Sequence, residues 1–323
     1  MKSSSSMWKY IVKRLILMVF TFFVIMTICF VLVKMLPFPA IKSMGRDVEI
    51  IKARREAMGY GKPILVQYLI YLSNAVRGNL GLGEQMYIGK EVTDIMFSKL
   101  PYTVMVNLYS IILAIPLGLL LGIYAALRKN KWQDHVISTA VMVFISVPSY
   151  VYAFLVQYFL CYKAGLFSLT IESLQYTSFF SFRMFRSMVP AILSLAFGSI
   201  AGFTRFTRAE LSEVLTGDYL LLARTKGLTR SQAVTRHAMR NAMVPILPMI
   251  IGEFISILGG SLIIESIFGI PGIGNLYVES INLRDYNFFM ADTFFYTIVG
   301  LLSGLVIDLS YGFIDPRIRM GER

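Results

Sequence analysis

Long apolar stretches alternate with short polar stretches along most of this 323-residue chain. A helix needs about 20 apolar residues to cross a hydrocarbon core of about 30 Å, because it rises about 1.5 Å per residue. Six stretches meet or approach that length, at 15–33, 102–127, 136–162, 187–204, 242–264 and 293–307. The pattern predicts an all-α polytopic membrane protein with six transmembrane helices.

A polar region of 67 residues, 34–100, interrupts this pattern after the first span. Helical periodicity occurs within it at 48–58 and at 64–76, and glycines and a proline that break helices lie between the two. We expect a small extracytoplasmic domain here, preceded in 1–33 by a cytoplasmic N-terminus and the first transmembrane helix. The first apolar run is longer than the apolar part of a signal peptide, which favours a retained helix.

The distribution of Lys and Arg predicts the orientation of the spans. Seventeen of these residues lie in the polar segments on one side, and four lie in the two short loops on the other. Short loops rich in Lys and Arg normally face the cytoplasm. Both termini are therefore predicted to be cytoplasmic, with a five-helix transmembrane core at 101–310 and a tail at 311–323.

Composition excludes several classes of protein. With 56% hydrophobic residues, 15% charged residues and a mean hydropathy of +0.65, the chain is too apolar for an ordinary soluble domain. Its formal charge of +12 does not indicate nucleic-acid binding, because the cations separate apolar spans instead of forming a patch on a polar face.

Motifs for catalysis are missing from the sequence. No Gly-x-x-x-x-Gly-Lys-Ser/Thr phosphate-binding loop occurs, so the chain is not expected to hydrolyse ATP by that route. It contains only two His and two Cys and no His-Glu-x-x-His, which predicts no metal site. We therefore expect a protein that is not an enzyme and that binds no cofactor itself.

The polar segment 205–241 between the fourth and fifth spans is the most informative part of the sequence. Seven of its residues are Lys or Arg and three are acidic. A short helix is predicted at 218–226, and Gly227 follows where a left-handed C-terminal cap would lie. Thr229 is a plausible N-cap of a second helix, and Gln232 completes a capping box. Two short cationic helices joined at a glycine predict a docking element.

Three groups of residues in this segment carry a resemblance: Asp218-Tyr219, Ala223 to Gly227, and Arg236 to Asn241. They resemble the cytoplasmic coupling segment of permease subunits in the oligopeptide/dipeptide/nickel branch of the ABC importers. Leu221 stands where the broader importer signature has a glutamate, as is common in the peptide branch. The stretch Glu265 to Gly274, ESIFGIPGIG, is similar to a second motif of the same family.

The resemblance implies a type I ABC importer permease fold in the cytoplasmic (inner) membrane of a prokaryote. It implies that the chain forms half of a translocation pathway in membrane lipid, beside a second, homologous permease subunit. Two ATP-binding subunits would hold the ATP and Mg, and an extracytoplasmic substrate-binding protein would deliver the cargo. Oligopeptides or dipeptides are the expected cargo, with nickel, glutathione or another small solute as alternatives.

The resemblance and the chemistry of the residues also suggest three groups of sites. The predicted ATPase-coupling residues are Asp218, Tyr219, Ala223, Lys226, Gly227, Arg230, His237, Arg240 and Asn241. The predicted residues of the translocation path are Glu253 and Glu265. The predicted residues of an external loop that receives the binding protein are Phe268, Pro271, Gly272 and Gly274.

Glu253 is chosen because the sequence places it near the centre of the fifth span, and a lone acid in the membrane centre costs about 2.5 kcal/mol or more. It either faces the path, where it could attract a peptide amino group, or makes an interhelical hydrogen bond. His237 is predicted to be a helix-surface group, in contact either with a partner or with lipid and loop groups.

A chain with these spans could also belong to two other classes of protein. A secondary transporter would show paired half-repeats and unwound helices at the membrane centre, and no convincing repeat is found. An intramembrane enzyme would need a convergent catalytic set, for which one acid in the fifth span is insufficient.

Overall fold

The computed structural model describes residues 2–37, 46–172 and 178–314. These ranges are helical apart from turns, loops and two isolated β-bridges, and they contain no β-strand. The helices are α1 (Lys2–Met35), α2 (Arg46–Ala57), α3 (Ile64–Val76), α4 (Val92–Leu127), α5 (Trp132–Ser146), α6 (Ser149–Val156), α7 (Phe182–Val214), α8 (Asp218–Thr225), α9 (Arg230–Ala233), α10 (Met239–Ser256), α11 (Leu262–Ile267), α12 (Ile273–Leu283) and α13 (Tyr286–Ile314).

Five helical stretches are long and apolar enough to cross a membrane: Tyr10–Met35, Val92–Leu127, Phe182–Val214, Arg230–Gly259 and Tyr286–Ser310. The pair Trp132–Ser146 and Ser149–Lys163, bent by 99° at a short break, is apolar enough to make a sixth span when the two helices are counted as one, and otherwise forms a re-entrant loop. The prediction of six apolar spans in an all-α polytopic protein is confirmed in this form.

The bend in the third span was not predicted. It lies at Val147 and Pro148, where Val147 leaves the helical conformation with φ −92° and ψ 127°. Proline disfavours the α conformation of the preceding residue and provides no N–H for the helix, so the span breaks at this point. After α6, a π-helical stretch continues over Gln157–Lys163.

The fifth span ends earlier than the predicted boundary at 264. Helix α10 ends at Ser256, a 3₁₀ turn covers Ile257–Gly259, and α11 is a separate helix. Gly260 has φ +59°, a left-handed conformation that favours glycine, and it stops the helix here.

One compact unit comprises Met1–Val104, Leu258–Ser266 and Ile270–Leu305. It contains α2 and α3, which confirm the two helices predicted in the polar region. Its buried core includes Met26, Phe30, Tyr71 and Phe288.

A buried acid holds the connection between α3 and α4 in this unit. The carboxylate of Asp285 accepts hydrogen bonds from the N–H groups of Glu84, Gln85 and Met86 at 2.7, 2.7 and 3.1 Å. Glu84 in turn pairs with Arg55. Hydrogen bonds to a buried charge are stronger than neutral ones, so Asp285 ties the start of α13 to this connection.

The second compact unit comprises Met105–Ile257, Ile267–Gly269 and Val306–Arg323. Its central helix is α7, which packs against α5, α6 and α10. Gly118 of α4 lies so close to α7 that an added Cβ would be 3.0 Å from the carbonyl oxygen of Ile200. A glycine is therefore required where these two helices approach each other.

Candidate functional site

Residues 205–241 form the predicted coupling segment. Its backbone folds largely as its sequence predicts. Helix α8 ends at Thr225, and Gly227 follows with φ +89°. The hydroxyl of Thr229 accepts a hydrogen bond from the N–H of Gln232, and the Gln232 side chain accepts one from the N–H of Thr229. The left-handed glycine and the capping box are confirmed, so the chain turns sharply between two capped helices.

One face of the coupling segment forms a small core of its own. Leu220 and Ala223 of α8 and Ala233 of α9 are buried in a cluster with α7 and the end of α4. The full cluster comprises Ala126, Leu211, Val214, Leu220, Ala223, Ala233, Ala238 and Ala242. Ala223 is 5% exposed, so this predicted coupling residue positions α8 and does not itself offer a surface to a partner.

The other face of the segment is exposed and basic. Six predicted coupling residues are exposed there: Lys226, Gly227, Arg230, His237, Arg240 and Asn241. The side chains of Asp218 and Tyr219 lie outside the described part of the structure. His237 is exposed on a helix, as predicted. A cationic face on a packed alanine-rich base is suited to contact an acidic protein surface.

A π-helical turn, Val234–Ala238, joins α9 to α10 and was not predicted. Such turns are rare and occur frequently at functional sites. His237 lies in this turn. The turn makes α9 continuous with the fifth span, so a displacement of the coupling segment would be transmitted directly to α10.

At the start of the coupling segment, an ion pair with a buried carboxylate joins α5 to α7, and the sequence reasoning missed it. Asp134 is 0% exposed, and the guanidinium of Arg208 donates to both of its carboxylate oxygens, one through Nη2 at 2.8 Å. The N–H of Asn130 and the hydroxyl of Ser138 donate to the same carboxylate. The only sequence signals are an acid beside the basic turn at 128–131 and an arginine at the end of an apolar run.

Glu265 occupies a buried polar site made by the second motif. It is 1% exposed, and it accepts a hydrogen bond from the Thr103 hydroxyl at 2.9 Å and from the N–H of Asn275 at 3.1 Å. The Thr103 hydroxyl also accepts the N–H of Ile273 at 2.9 Å. Glu265 and Thr103 therefore cap the first turn of α12, where backbone N–H groups lack helical partners.

The environment of Glu265 explains two glycines of its motif. A Cβ on Gly274 would lie 2.9 Å from Glu265 Oε2, and a Cβ on Gly272 would overlap both that oxygen and the Thr103 hydroxyl. Burial raises the pKa of Glu265, and the hydrogen bonds from Asn275, Thr103 and Gly274 oppose that rise. These contacts give Glu265 a structural role in capping α12, and its place in a translocation path stays a prediction.

The predicted external loop is mostly buried. Phe268, Gly272 and Gly274 are buried, and Pro271 is half-buried. Their exposed neighbours include Ser266 and Gly269. Contact between this loop and a binding protein stays a prediction.

Glu253 lies in the last turn of α10 and not at the centre of its helix, because α10 ends at Ser256. It is half-buried, and the hydroxyls of Ser199 and Ser256 donate to its two carboxylate oxygens, each at 3.3 Å. The interhelical hydrogen bond that the sequence left open as one alternative is therefore present. These bonds are long, and a place for Glu253 in the translocation path stays a prediction.

Comparison with known proteins identifies the class. Residues 118–320 match the family described as binding-protein-dependent transport system inner membrane component, and residues 7–107 match its N-terminal family. The chain is 33% identical to the dipeptide transport system permease protein DppB of Lactococcus lactis subsp. cremoris over 314 residues, which cover 97% of this chain and all of that protein.

Two further relatives have the same overall length. DppB of Bacillus subtilis is 33% identical over 318 residues, which cover 98% of this chain and all of that protein. The glutathione transport system permease protein GsiC of Shigella flexneri serotype 5b is 33% identical over 317 residues, which cover 97% of this chain and 99% of that protein.

The chain belongs to the family of binding-protein-dependent transport system inner membrane components. It is a multi-pass ABC importer permease of the peptide branch, and the recognition of this class from its motifs is confirmed. Proteins of this class are components of membrane transport systems and not enzymes.

Proposed function

We propose that this chain is the permease subunit of a peptide importer and that partner ATPases dock on segment 205–241. The observation that carries the proposal is the exposed basic face of that segment, in which the chain turns at Gly227. Lys226, Arg230 and Arg240 make the main contacts, with Asp218 and Tyr219 beside them. ATP and Mg are bound by the ATPases.

The coupling movement follows from the way in which the segment is built. ATP binding draws the two ATPases together and displaces the coupling helices on their surfaces. The buried core around Ala223 and Ala233 transmits this displacement to α7, and the π-helical turn transmits it to α10. The transmembrane helices then change between inward-facing and outward-facing arrangements.

The complete transporter contains this chain, a second homologous permease, two ATP-binding subunits and an extracytoplasmic binding protein. The chain lies in the cytoplasmic membrane of a prokaryote with both termini inside. The excess of Lys and Arg in the segments on the side of the termini supports this orientation.

Short peptides are the proposed cargo. Relatives of the same length are named for dipeptide and for glutathione transport, and glutathione is itself a modified tripeptide. Glu253 is proposed to contact the peptide amino group, because it is half-buried and both hydrogen bonds to its carboxylate in the described part of the chain are long. Glu265 has weaker support as a path residue, because it is buried and its carboxylate is hydrogen-bonded to Thr103 and Asn275.

Co-purification from mild-detergent membranes tests the coupling role. We expect the tagged chain to bring with it a second permease and ATPases with phosphate-binding loops. Gly227→Pro should abolish this recovery, because proline cannot adopt φ +89°. A chain that purifies alone and transports under an ion gradient without ATP would contradict the proposal.

The cargo is tested separately with the reconstituted transporter. We expect ATP-dependent uptake of labelled di- or tripeptides, and no uptake of labelled nickel. Uptake of nickel alone would contradict the peptide assignment while leaving the coupling role intact. Glu253→Gln should raise the KM for peptide without preventing assembly, and unchanged kinetics would remove Glu253 from the path.

A further inference from the structure

A cleft of about 460 Å³ lies at the bend of the third span, and none of the residues that line it is among the predicted coupling contacts. The last turn of α5, the first turn of α6 and the middle of α7 surround it, and all three belong to the second compact unit. The cleft exists because the span turns by 99° at Val147 and Pro148, so that α6 leaves the line of α5 beside α7.

The floor of the cleft is made by two glycines of α7. Gly198 and Gly202 are one turn apart, and a Cβ added to either would meet no atom within 4 Å. They differ in this from Gly118, where helix packing leaves no room for a side chain. Within the described structure nothing fills the space above these glycines, which leaves room for a bound group.

The walls of the cleft are apolar although the helix is broken beside them. The break frees carbonyl groups of α5, and the Tyr152 hydroxyl donates to the carbonyl oxygens of Phe144 and Val147, the latter at 2.5 Å. Two carbonyl oxygens at the bend thereby have a hydrogen-bond partner within the chain, which lowers the cost of irregular backbone at membrane depth. The rings of Phe144 and Tyr152, 5.8 Å apart, line the cleft together with Val147 and Pro148.

One cation, Arg205, lies at the edge of the cleft. Its side chain is exposed, and its guanidinium lies 5.7 Å from the ring centroid of Phe206. The nearby Arg208 is occupied by Asp134, and none of the residues that line the cleft is acidic. The cleft therefore offers a positive charge without a matching carboxylate.

The position of Arg205 along α7 places that charge at the membrane boundary. Residues 187–204 are uncharged, and 18 helical residues span about 27 Å, close to the thickness of the hydrocarbon core. Arg205 is the first charged residue after this run. This spacing indicates a position near the lipid phosphates for Arg205 and a position among the acyl chains for Gly198 and Gly202.

We propose that this cleft binds an anionic phospholipid of the phosphatidylglycerol type. The guanidinium of Arg205 contacts the headgroup phosphate, for which its planar set of N–H donors is suited. One acyl chain lies on Gly198 and Gly202 against Phe144 and Val147. Peptide cargo fits less well, because the cleft has no acid to receive its amino group.

The lipid would stabilise the bent third span in one arrangement. The same cleft adjoins α7, the helix that leads directly into the coupling segment. A lipid wedged between the bend and α7 would restrict how far these helices can approach each other. Transport activity would then depend on the anionic lipid content of the membrane.

Native mass spectrometry of the transporter, purified with its co-purifying subunits and delipidated, tests this. It is titrated with dioleoyl phosphatidylglycerol or dioleoyl phosphatidylcholine. We expect about fivefold tighter binding of phosphatidylglycerol at this site, since a basic residue near anionic lipid contributes about a factor of five. Arg205→Gln should remove the preference, and Arg205→Lys should retain most of it.

A filling variant and its control test the cleft itself. Gly202→Leu should lower the number of bound phosphatidylglycerol molecules by one without changing the charge of the protein. Gly300→Leu is the matched control, because Gly300 also lies in a span and its added Cβ would meet nothing within 4 Å. It should leave the number of bound phosphatidylglycerol molecules unchanged.

Two results would overturn the proposal. One is the same phosphatidylglycerol binding in the parent, Arg205→Gln and Gly202→Leu proteins, each checked for intact assembly by size exclusion. The other is efficient cross-linking of Gly202→Cys to the second permease in the assembled transporter, which would mean that a protein helix occupies the cleft.

Discussion

The two glycine-containing motifs of this permease have opposite surroundings. At Gly272 an added Cβ would overlap Glu265 and Thr103, whereas at Gly227 it would meet no atom within 4 Å. Gly272 is buried beside the Glu265 carboxylate that caps α12, and Gly227 is exposed between two cationic helices. Glycine serves close packing at the first position and backbone conformation at the second, where φ is +89°.

This difference separates a structural motif from a contact surface. Around Glu265, each hydrogen-bonding group reaches another group of the same unit, so the motif acts to hold α11 and α12 together. In the coupling segment, the buried alanines hold the helices while the basic side chains remain exposed. Both motifs resemble the same family, but the motif around Glu265 indicates internal packing, whereas the coupling segment indicates a contact surface.

The largest expected effect on stability is that of Gly272→Ala. The new methyl group must displace Glu265 or Thr103, and forcing atoms into a filled site of this kind costs about 3 kcal/mol. Thermal unfolding in detergent should show a clearly lower Tm. Gly61→Ala is the control, because a Cβ there would meet nothing within 4 Å. Equal Tm values for the two variants would contradict the packing described around Glu265.

The second prediction concerns the pH dependence of stability. Burial raises the pKa of Glu265 above its ordinary value of 4.5, so the unfolded chain loses this proton at a lower pH than the folded protein does. The contribution of Glu265 to stability should therefore fall as the pH rises from about 4.5 through its raised folded pKa.

Thermal unfolding across that pH range, for the parent and Glu265→Gln, measures the effect. The fall should be smaller in Glu265→Gln, which cannot ionise. The exposed Glu279→Gln should behave as the parent does. A parent protein whose stability increases over this range by an amount that Glu265→Gln removes would show that the hydrogen bonds outweigh burial.

The third prediction separates assembly from stability at the coupling glycine. Gly227→Ala should lower stability by only about 1 kcal/mol, the strain of a left-handed alanine. Relief of that strain moves residue 227 away from φ +89°, which changes the angle between α8 and α9 and should strongly reduce ATPase recovery. Gly165→Ala is the matched control, since Gly165 has φ +63° and an added Cβ there also meets nothing within 4 Å. Equal loss of ATPase recovery in both variants would show that the effect comes from backbone strain in general and not from the position of Gly227.

The smallest effect on stability is expected from Arg230→Glu. Arg230 is exposed, so the free energy of unfolding should change by no more than about 0.5 kcal/mol, as for a typical surface substitution. ATPase binding should weaken at low salt and recover partly when salt screens the new repulsion. Lys129→Glu, an exposed reversal in another basic turn, should leave binding unchanged. Binding that tolerates Arg230→Glu would remove this residue from the docking face.

Much of the fold was accessible from local sequence because the membrane imposes long uniform elements. The run of apolar residues predicted each span, and the helix at 64–76 was predicted with the bounds that the structure has. The capping box at Thr229 and the left-handed Gly227 were also predictable, because both depend on residues within a few positions of each other.

The missed features depend on partners distant in sequence. Asp134 and Arg208 are 74 positions apart, and Thr103 and Glu265 are 162 positions apart. The motif around Glu265 was therefore interpreted as an outer loop, although its glycines make room for a buried carboxylate. Glu253 was placed at a helix centre because the end of α10 depends on Gly260, whose left-handed conformation was not foreseen.

The sequence by itself determined that this protein crosses a membrane, that it belongs to the peptide branch of ABC importer permeases, and that Gly227 joins two capped basic helices. These properties follow from apolar length, local motifs and caps, all of which act over short stretches of chain. Only the tertiary structure decided which acids are satisfied internally, where the third span bends, and that an apolar cleft with Arg205 at its edge results. Those depend on which helices pack together, and burial and hydrogen bonding then determine what each side chain can do.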